Sequence, residues 1–236
     1  MCIRDSADNF GGEKCNIPAM TKFLGKLYYL EHEGTRIKPW PCCGGNHQTL
    51  TNLLPFAKEK KLKAEDVERV EHIGPNIPCT GALLRTEVRE GLEGKFSLAY
   101  NISAALIDGK IDHETFTDKR AAKGDLQAFM KRVRLVRSDD VALRRPHIRD
   151  GNEEARLRIT MRDGTVHEFV MKTAMHLTGD AVIEKFRLNA EHVLGKDRAA
   201  AAIDLVQRLE TLTDVAQLLD AVTTASKESV PGRLAA

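Results

Sequence analysis

The stretch Ala155-Arg156-Leu157-Arg158-Ile159-Thr160-Met161-Arg162-Asp163-Gly164-Thr165-Val166-His167-Glu168-Phe169-Val170 decides the fold class. Leu157, Ile159 and Met161 alternate with Arg156, Arg158, Thr160 and Arg162, the period of a half-buried strand. Asp163-Gly164 interrupts the alternation before Val166 to Val170 resume it. Both turn residues accept positive φ, so the stretch predicts a β-hairpin. Beyond Gly179 the period becomes helical. Ile183, Phe186, Ala190 and Val193 form one stripe, and Ile203, Val206 and Leu209 another. Asp214, with Gln217 three residues on, predicts the cap of a last helix.

Upstream of the hairpin the elements are mixed. Val67 to Ile73 reads as a strand closed off by Pro75 and Pro78, and Val133 to Val136 as another. Leu98, Ile102, Ala105 and Leu106 share one helical face, with Ser97 as N-cap and Asp108-Gly109 as stop. Short helices are expected at His113–Phe116 and Asp125–Lys131. His47 to Lys60 reads as a helix that Pro55 should kink or shorten. Ile17 to Glu31 carries Met20, Phe23, Leu24, Leu27 and Leu30 at helical spacing, ending at Gly34. The layout is a helix, an α+β middle and a helical tail, so the fold class is α+β.

The 236 residues carry 36 Lys+Arg against 34 Asp+Glu, a net charge of +2, with 42% hydrophobic residues. Such a chain can bury a core, which excludes wholesale disorder. No apolar run reaches the roughly 18 residues of a membrane helix. The basic residues Lys119, Arg120, Lys131, Arg132, Arg134, Arg137, Arg144 and Arg145 lack interleaved aromatic platforms, so nucleic acid is not an expected partner. Cys2, Cys15, Cys42, Cys43 and Cys79 are odd in number and contain no C-x-x-C, which reads as reduced thiols in a cytoplasmic protein. Met1 to Ser6 joins abruptly to Ala7-Asp8-Asn9-Phe10 and reads as a non-native leader on a truncated frame, with a short polar native tail as the alternative. Ser226 to Ala236 reads as a fraying end.

The stretch most suggestive of chemistry is Arg36-Ile37-Lys38-Pro39-Trp40-Pro41-Cys42-Cys43-Gly44-Gly45-Asn46-His47. Prolines restrict the backbone before folding, so Lys38 is placed at little further entropic cost. A fixed ammonium can hold a carboxylate or an enolate-like charge. The same residues also fit a surface lysine beside a Pro-Trp-Pro packing wedge. Adjacent Cys42 and Cys43 do not easily share one tetrahedral metal ion, and buried thiols are more often inert than nucleophilic. Tyr100 falls in a first helical turn, where its phenol could hold a substrate oxygen or donate a proton; a rim-of-core tyrosine fits equally.

Lys38-Pro39-Trp40-Pro41-Cys42-Cys43…His47 resembles the Lys-Pro-Tyr-Pro-Ser-Cys…His segment of the MmgE/PrpD family. Phe96-Ser97-Leu98-Ala99-Tyr100 through Ala104-Ala105-Leu106-Ile107-Asp108-Gly109 resembles its Phe-Ser-x-x-Tyr…Ala-x-Leu-x-Asp-Gly helix. Phe116-Thr117-Asp118, Asp163-Gly164 and Glu184-Lys185-Phe186-Arg187-Leu188-Asn189-Ala190 follow in the family's order. The resemblance spans residues 17–225.

That resemblance implies an α+β lid inserted into an all-helical domain. Residues 1–35 would be the remnant of the first helical part, 36–177 the lid and 178–236 the returning helices. The family includes 2-methylcitrate dehydratase, cis-aconitate decarboxylase and iminodisuccinate epimerase, which share cofactor-free, metal-free proton abstraction beside a carboxylate. Carried over, Lys38 and Tyr100 would be catalytic. Lys38, His47, Tyr100 and Ser97 would bind a small polycarboxylic acid. Dehydration of a citrate-like acid is the first expectation, with decarboxylation or epimerisation as alternatives; a non-catalytic acid- or partner-binding module is a further one. Trp40 stands for the family's tyrosine, Cys42 for its serine, and Gly44-Gly45 where an arginine commonly follows. The family's catalytic histidines and aspartate belong to the N-terminal helical domain, so this chain is expected to be inactive alone. A homodimer is the family's expectation for the full-length protein.

Overall fold

The structure is a computed structural model. It describes residues 16, 18, 21, 22, 25, 26, 28, 37–74, 83–137, 155–172 and 176–223. The expected leader, most of the helix over 17–31, the closing Pro75 and Pro78, Cys2, Cys15 and Cys79, and the C-terminal tail lie outside these residues. The chain divides into two compact units, Met1–Ile37 and Lys38–Ala236; the second is described below.

Among the described residues the sheet has four strands in the order β2-β1-β3-β4. They are β1 (Val67–Gly74), β2 (Val133–Arg137), β3 (Arg156–Met161) and β4 (Val166–Val170). β1 pairs in parallel with β2 and antiparallel with β3, and β3 pairs antiparallel with β4. The hairpin is in the expected place. Gly164 takes φ 87° in its turn, a conformation glycine adopts without a Cβ clash. Leu157 and Ile159 are fully buried, while Arg156 and Arg158 face outward. On that outer face Arg158 pairs with Glu168 at 2.6 Å and with Glu71 at 3.7 Å. A one-residue slip would bury the arginines and break these pairs, so both faces enforce one register.

Helices cover the inner face. α1 (His47–Glu59) carries Leu50 and Leu53 into the core. Its Phe56 ring lies 4.6 Å from Phe169 of β4. α1 continues unbroken through Pro55 and is not ended there. Burial on both sides of the proline, from Leu53 to Phe56, outweighs the lost amide bond. Next come α2 (Gly91–Lys95) and α3 (Leu98–Asp108). α3 packs against α1 and against the later α5, and its residues from Leu98 to Leu106 are all buried. Ser97 Oγ accepts from the Tyr100 amide at 3.1 Å, the expected N-cap, and Gly109 ends the helix at φ 67°. α4 (Asp118–Ala121) and α5 (Gly124–Met130) complete this layer.

α6 (Asp180–Leu194), α7 (Lys196–Gln207) and α8 (Ala216–Val222) follow as the expected helical stretch. The N-cap of the last is Val215 rather than the expected Asp214, which lies one residue before it with its Oδ1 accepting from the Ala216 amide at 2.9 Å. The architecture is α+β, as the sequence predicts. Among the described residues no helix is long and apolar enough to cross a membrane.

The tightest glycine contact among the described residues is at the α2 corner. A Cβ on Gly91 would stand 1.8 Å from the Phe116 carbonyl oxygen. Gly91→Ala is therefore expected to cost about 3 kcal/mol or more, by overpacking against backbone. Gly109→Ala meets open space and only a left-handed φ, so about 1–2 kcal/mol is expected. Urea unfolding of the two variants gives the order; equal losses would contradict it.

Candidate functional site

The Pro-rich segment is held from both sides. The Cys43 amide donates to the Lys95 carbonyl at 3.0 Å, and Asn46 Nδ2 donates to the same oxygen at 3.0 Å. A Cβ on Gly45 would stand 2.4 Å from Leu83 Cδ1, so the Leu83 side chain would have to shift. A 3-10 turn, Gly44–Asn46, then leads into α1, whose first residue is His47. Lys38 Nζ folds back to the Cys42 carbonyl at 3.3 Å.

His47 is 3% exposed, and its Nε2 has no hydrogen-bond partner. The Trp40 ring lies edge-on to it at 5.4 Å. Burial lowers the His47 pKa to about 4, opposed by a hydrogen bond to the Cys42 backbone and assisted by Lys38, His176 and Lys185. Since Nε2 is unpartnered, that bond uses Nδ1. The neutral ring thus carries its proton on Nδ1 and a lone pair on Nε2. A buried polar atom left unpaired is costly.

Lys38 and Lys185 have no carboxylate partner among the described residues. Lys185 reaches the segment from α6 and donates to the Lys38 carbonyl at 2.5 Å. The result is a neutral imidazole acceptor beside ammonium groups: a place for an anion, with a base beside it. Sequence reasoning paired Lys38 with His47 and missed Lys185 and His176. The only sequence signal for Lys185 was its place in the Glu184-Lys185-Phe186 motif.

The other expected site residues lie elsewhere. Tyr100 is fully buried, its hydroxyl donating to the Thr115 carbonyl at 2.5 Å and its ring packed on Gly94. Burial raises its pKa to about 12. Ser97 is fully buried too, and its Oγ donates to the Arg85 carbonyl at 2.6 Å while capping α3. Both hydroxyls are committed to backbone here, while Lys38 and His47 come together. Cys42 is buried and its thiol is pushed up to about 12, chiefly by burial, which suits an inert packing group. Among the described residues no three His, Cys, Asp or Glu side chains group as a metal site.

A family model described as the MmgE/PrpD C-terminal domain matches residues 40–211. Cis-aconitate decarboxylase of Mus musculus is 25% identical over 228 residues, covering 92% of this chain and 45% of that protein. The chain thus spans about half the length of this curated relative.

His72, on the inner face of β1, is like His47: burial lowers its pKa to about 4, and its Nδ1 is unpartnered. Both rings gain a proton in the unfolded chain near the ordinary value of 6.5 and in the folded chain only near 4. The unfolded state binds more protons in that window. Stability is therefore complete above about pH 6.5 and falls as pH drops toward 4. Urea midpoints across this range should decline for the chain as it stands and decline less for His72→Leu. A flat profile would contradict this.

Proposed function

The chain belongs to the MmgE/PrpD family, and on that premise we propose that it carries the cationic half of the active site of a cofactor-independent lyase for a small polycarboxylic acid. The observation that carries this reading is the unpartnered Nε2 of buried His47 beside Lys38 and Lys185. Lys38 binds a substrate carboxylate and stabilises the charge that develops when the neighbouring carbon loses its proton. His47, neutral at pH 7, receives or returns a proton through Nε2. Trp40 closes one side of the ring. Tyr100 and Ser97 support from behind, fixing α3 and, through Lys95, the floor under Cys43.

The chemistry is removal of a proton beside a carboxylate and loss of water or carbon dioxide. Water loss from a citrate-like acid is the first activity to assay. Decarboxylation is the second, favoured by the name of the mouse relative. The primary base comes from a part of the longer protein that these 236 residues do not include, so this chain binds without turnover. The span of 45% of the relative supports that division. The longer protein is cytoplasmic and works as a homodimer.

The test is a citrate titration of the 236-residue chain, followed by amide NMR. Citrate should shift Gly44, Gly45 and His47, and Lys38→Met should weaken it about tenfold, as expected for a lost charge-assisted bond. Assays of the same sample with 2-methylcitrate and cis-aconitate should show no turnover. Unshifted Gly44 and His47 at saturating citrate would sink the anion site. Enzyme-like turnover would sink the division of labour.

A further inference from the structure

The bond from Lys185 to the Lys38 carbonyl joins residues 147 positions apart. It is made from α6, a helix none of whose residues is buried. Polar contacts help to seat Lys185. Asn189, one turn on, donates Nδ2 to the Lys185 carbonyl at 2.7 Å. Asn189 Oδ1 lies 2.6 Å from His113 Nε2, at the entrance to the 3-10 turn Glu114–Phe116. At the other end Lys38 reaches the Cys42 carbonyl, on the residue whose backbone also holds the His47 ring. A line of hydrogen bonds thus runs from His113 through Asn189, Lys185 and Lys38 to Cys42.

We propose that Lys185 is a positioning residue of the anion site, seated by Asn189 and His113, which fixes the backbone of Lys38 and so the direction from which its ammonium meets a ligand. The inference rests on the anion-site reading above. An ammonium-to-carbonyl bond is charge-assisted and holds its acceptor more firmly than a neutral one. Pro39 and Pro41 stiffen the next three residues, so a displaced Lys38 carbonyl carries Trp40 with it, and Trp40 is the ring against His47. Tethering from α6 makes the ligand site depend on the helical stretch after residue 179.

The experiment is the citrate titration repeated on the full chain for Lys185→Met, Lys185→Arg, Asn189→Ala, Lys38→Met and the double variant of Lys38→Met with Lys185→Met. Lys185→Met should weaken citrate about tenfold. Lys185→Arg keeps a donor and should stay within about threefold. Asn189→Ala alters no charge, yet should weaken citrate several-fold by releasing the seat. The double variant should be no weaker than Lys38→Met, because a residue acting through another adds nothing once that one is gone. Without ligand, the Gly44 and Gly45 amides should shift in Lys185→Met and hold in Lys185→Arg.

Wild-type affinity in Lys185→Met with weak binding in Lys38→Met overturns the positioning role and leaves the anion site standing. Additive losses in the double variant overturn it as well, since Lys185 would then hold the ligand itself. If Lys38→Met binds citrate as the parent chain does, the anion-site reading fails; unchanged Gly44 and Gly45 amides in ligand-free Lys185→Met then overturn the positioning role separately.

Discussion

One backbone oxygen, that of Lys95, takes hydrogen bonds from both the Cys43 amide and the Asn46 side chain. It is the anchor between the irregular Pro-rich segment and the buried helix α3. Lys95 can present that oxygen because α2 is short and glycine-rich at both contact points. The Tyr100 ring fills the space over Gly94, and the Phe116 carbonyl fills the space over Gly91. Asp118 Oδ1 then closes the corner by accepting from the Gly91 amide at 2.8 Å. Tyr100 serves the site without facing it: ring and hydroxyl together set the height of the floor on which Cys43 to His47 rests.

Much of the fold was legible because its signals are local. The hairpin needed only the alternation from Arg156 to Met161 and an Asp-Gly turn. α3 needed only Ser97 before it and Gly109 after it. Three features were not legible. α2 holds two glycines in five residues, and its helicity comes from packing that no propensity reports. The parallel pairing of β1 with β2 matches Val70 with Val133 across intervening helices, a choice set by the tertiary fold. Pro55 was expected to kink or shorten α1, yet the helix continues through it with its neighbours buried. At the site, Lys38 and His47 could be paired because they are nine residues apart along a stiff segment. Lys185 could not, since its distance in sequence hides it.

Among the described residues two arrangements of cations stand in contrast. Arg120 binds Asp108 through both Nε and Nη2, at 3.0 and 2.7 Å, and Asp125 through Nη1 at 2.9 Å. These partners, the hydrogen bonds to Asp108 first, hold its pKa above the ordinary value. That guanidinium is held by two carboxylates and ties the end of α3 to α4 and α5. Lys38 and Lys185 are bonded to carbonyls, which accept without neutralising. Around Arg120 carboxylates neutralise the positive charge; beside His47, whose ring burial keeps neutral, the lysines meet carbonyls instead.

The strand order bears on how the chain comes together over time. β1 lies between β2 and β3, and both partners are made long after it, beyond all the helices from α2 to α5. Pairings between residues far apart in sequence close large loops and are slow to form. During synthesis β1 would leave the ribosome with both hydrogen-bonding edges bare and with Val67 and Val70 uncovered. β3 and β4 can zip to each other at once through their turn. The hairpin is then a ready template, and β1 gains its second edge only when Arg156 to Met161 have emerged. Until then the waiting strand is the part of the nascent chain most open to a wrong partner, and a chaperone that shields one bare strand would help most during that interval.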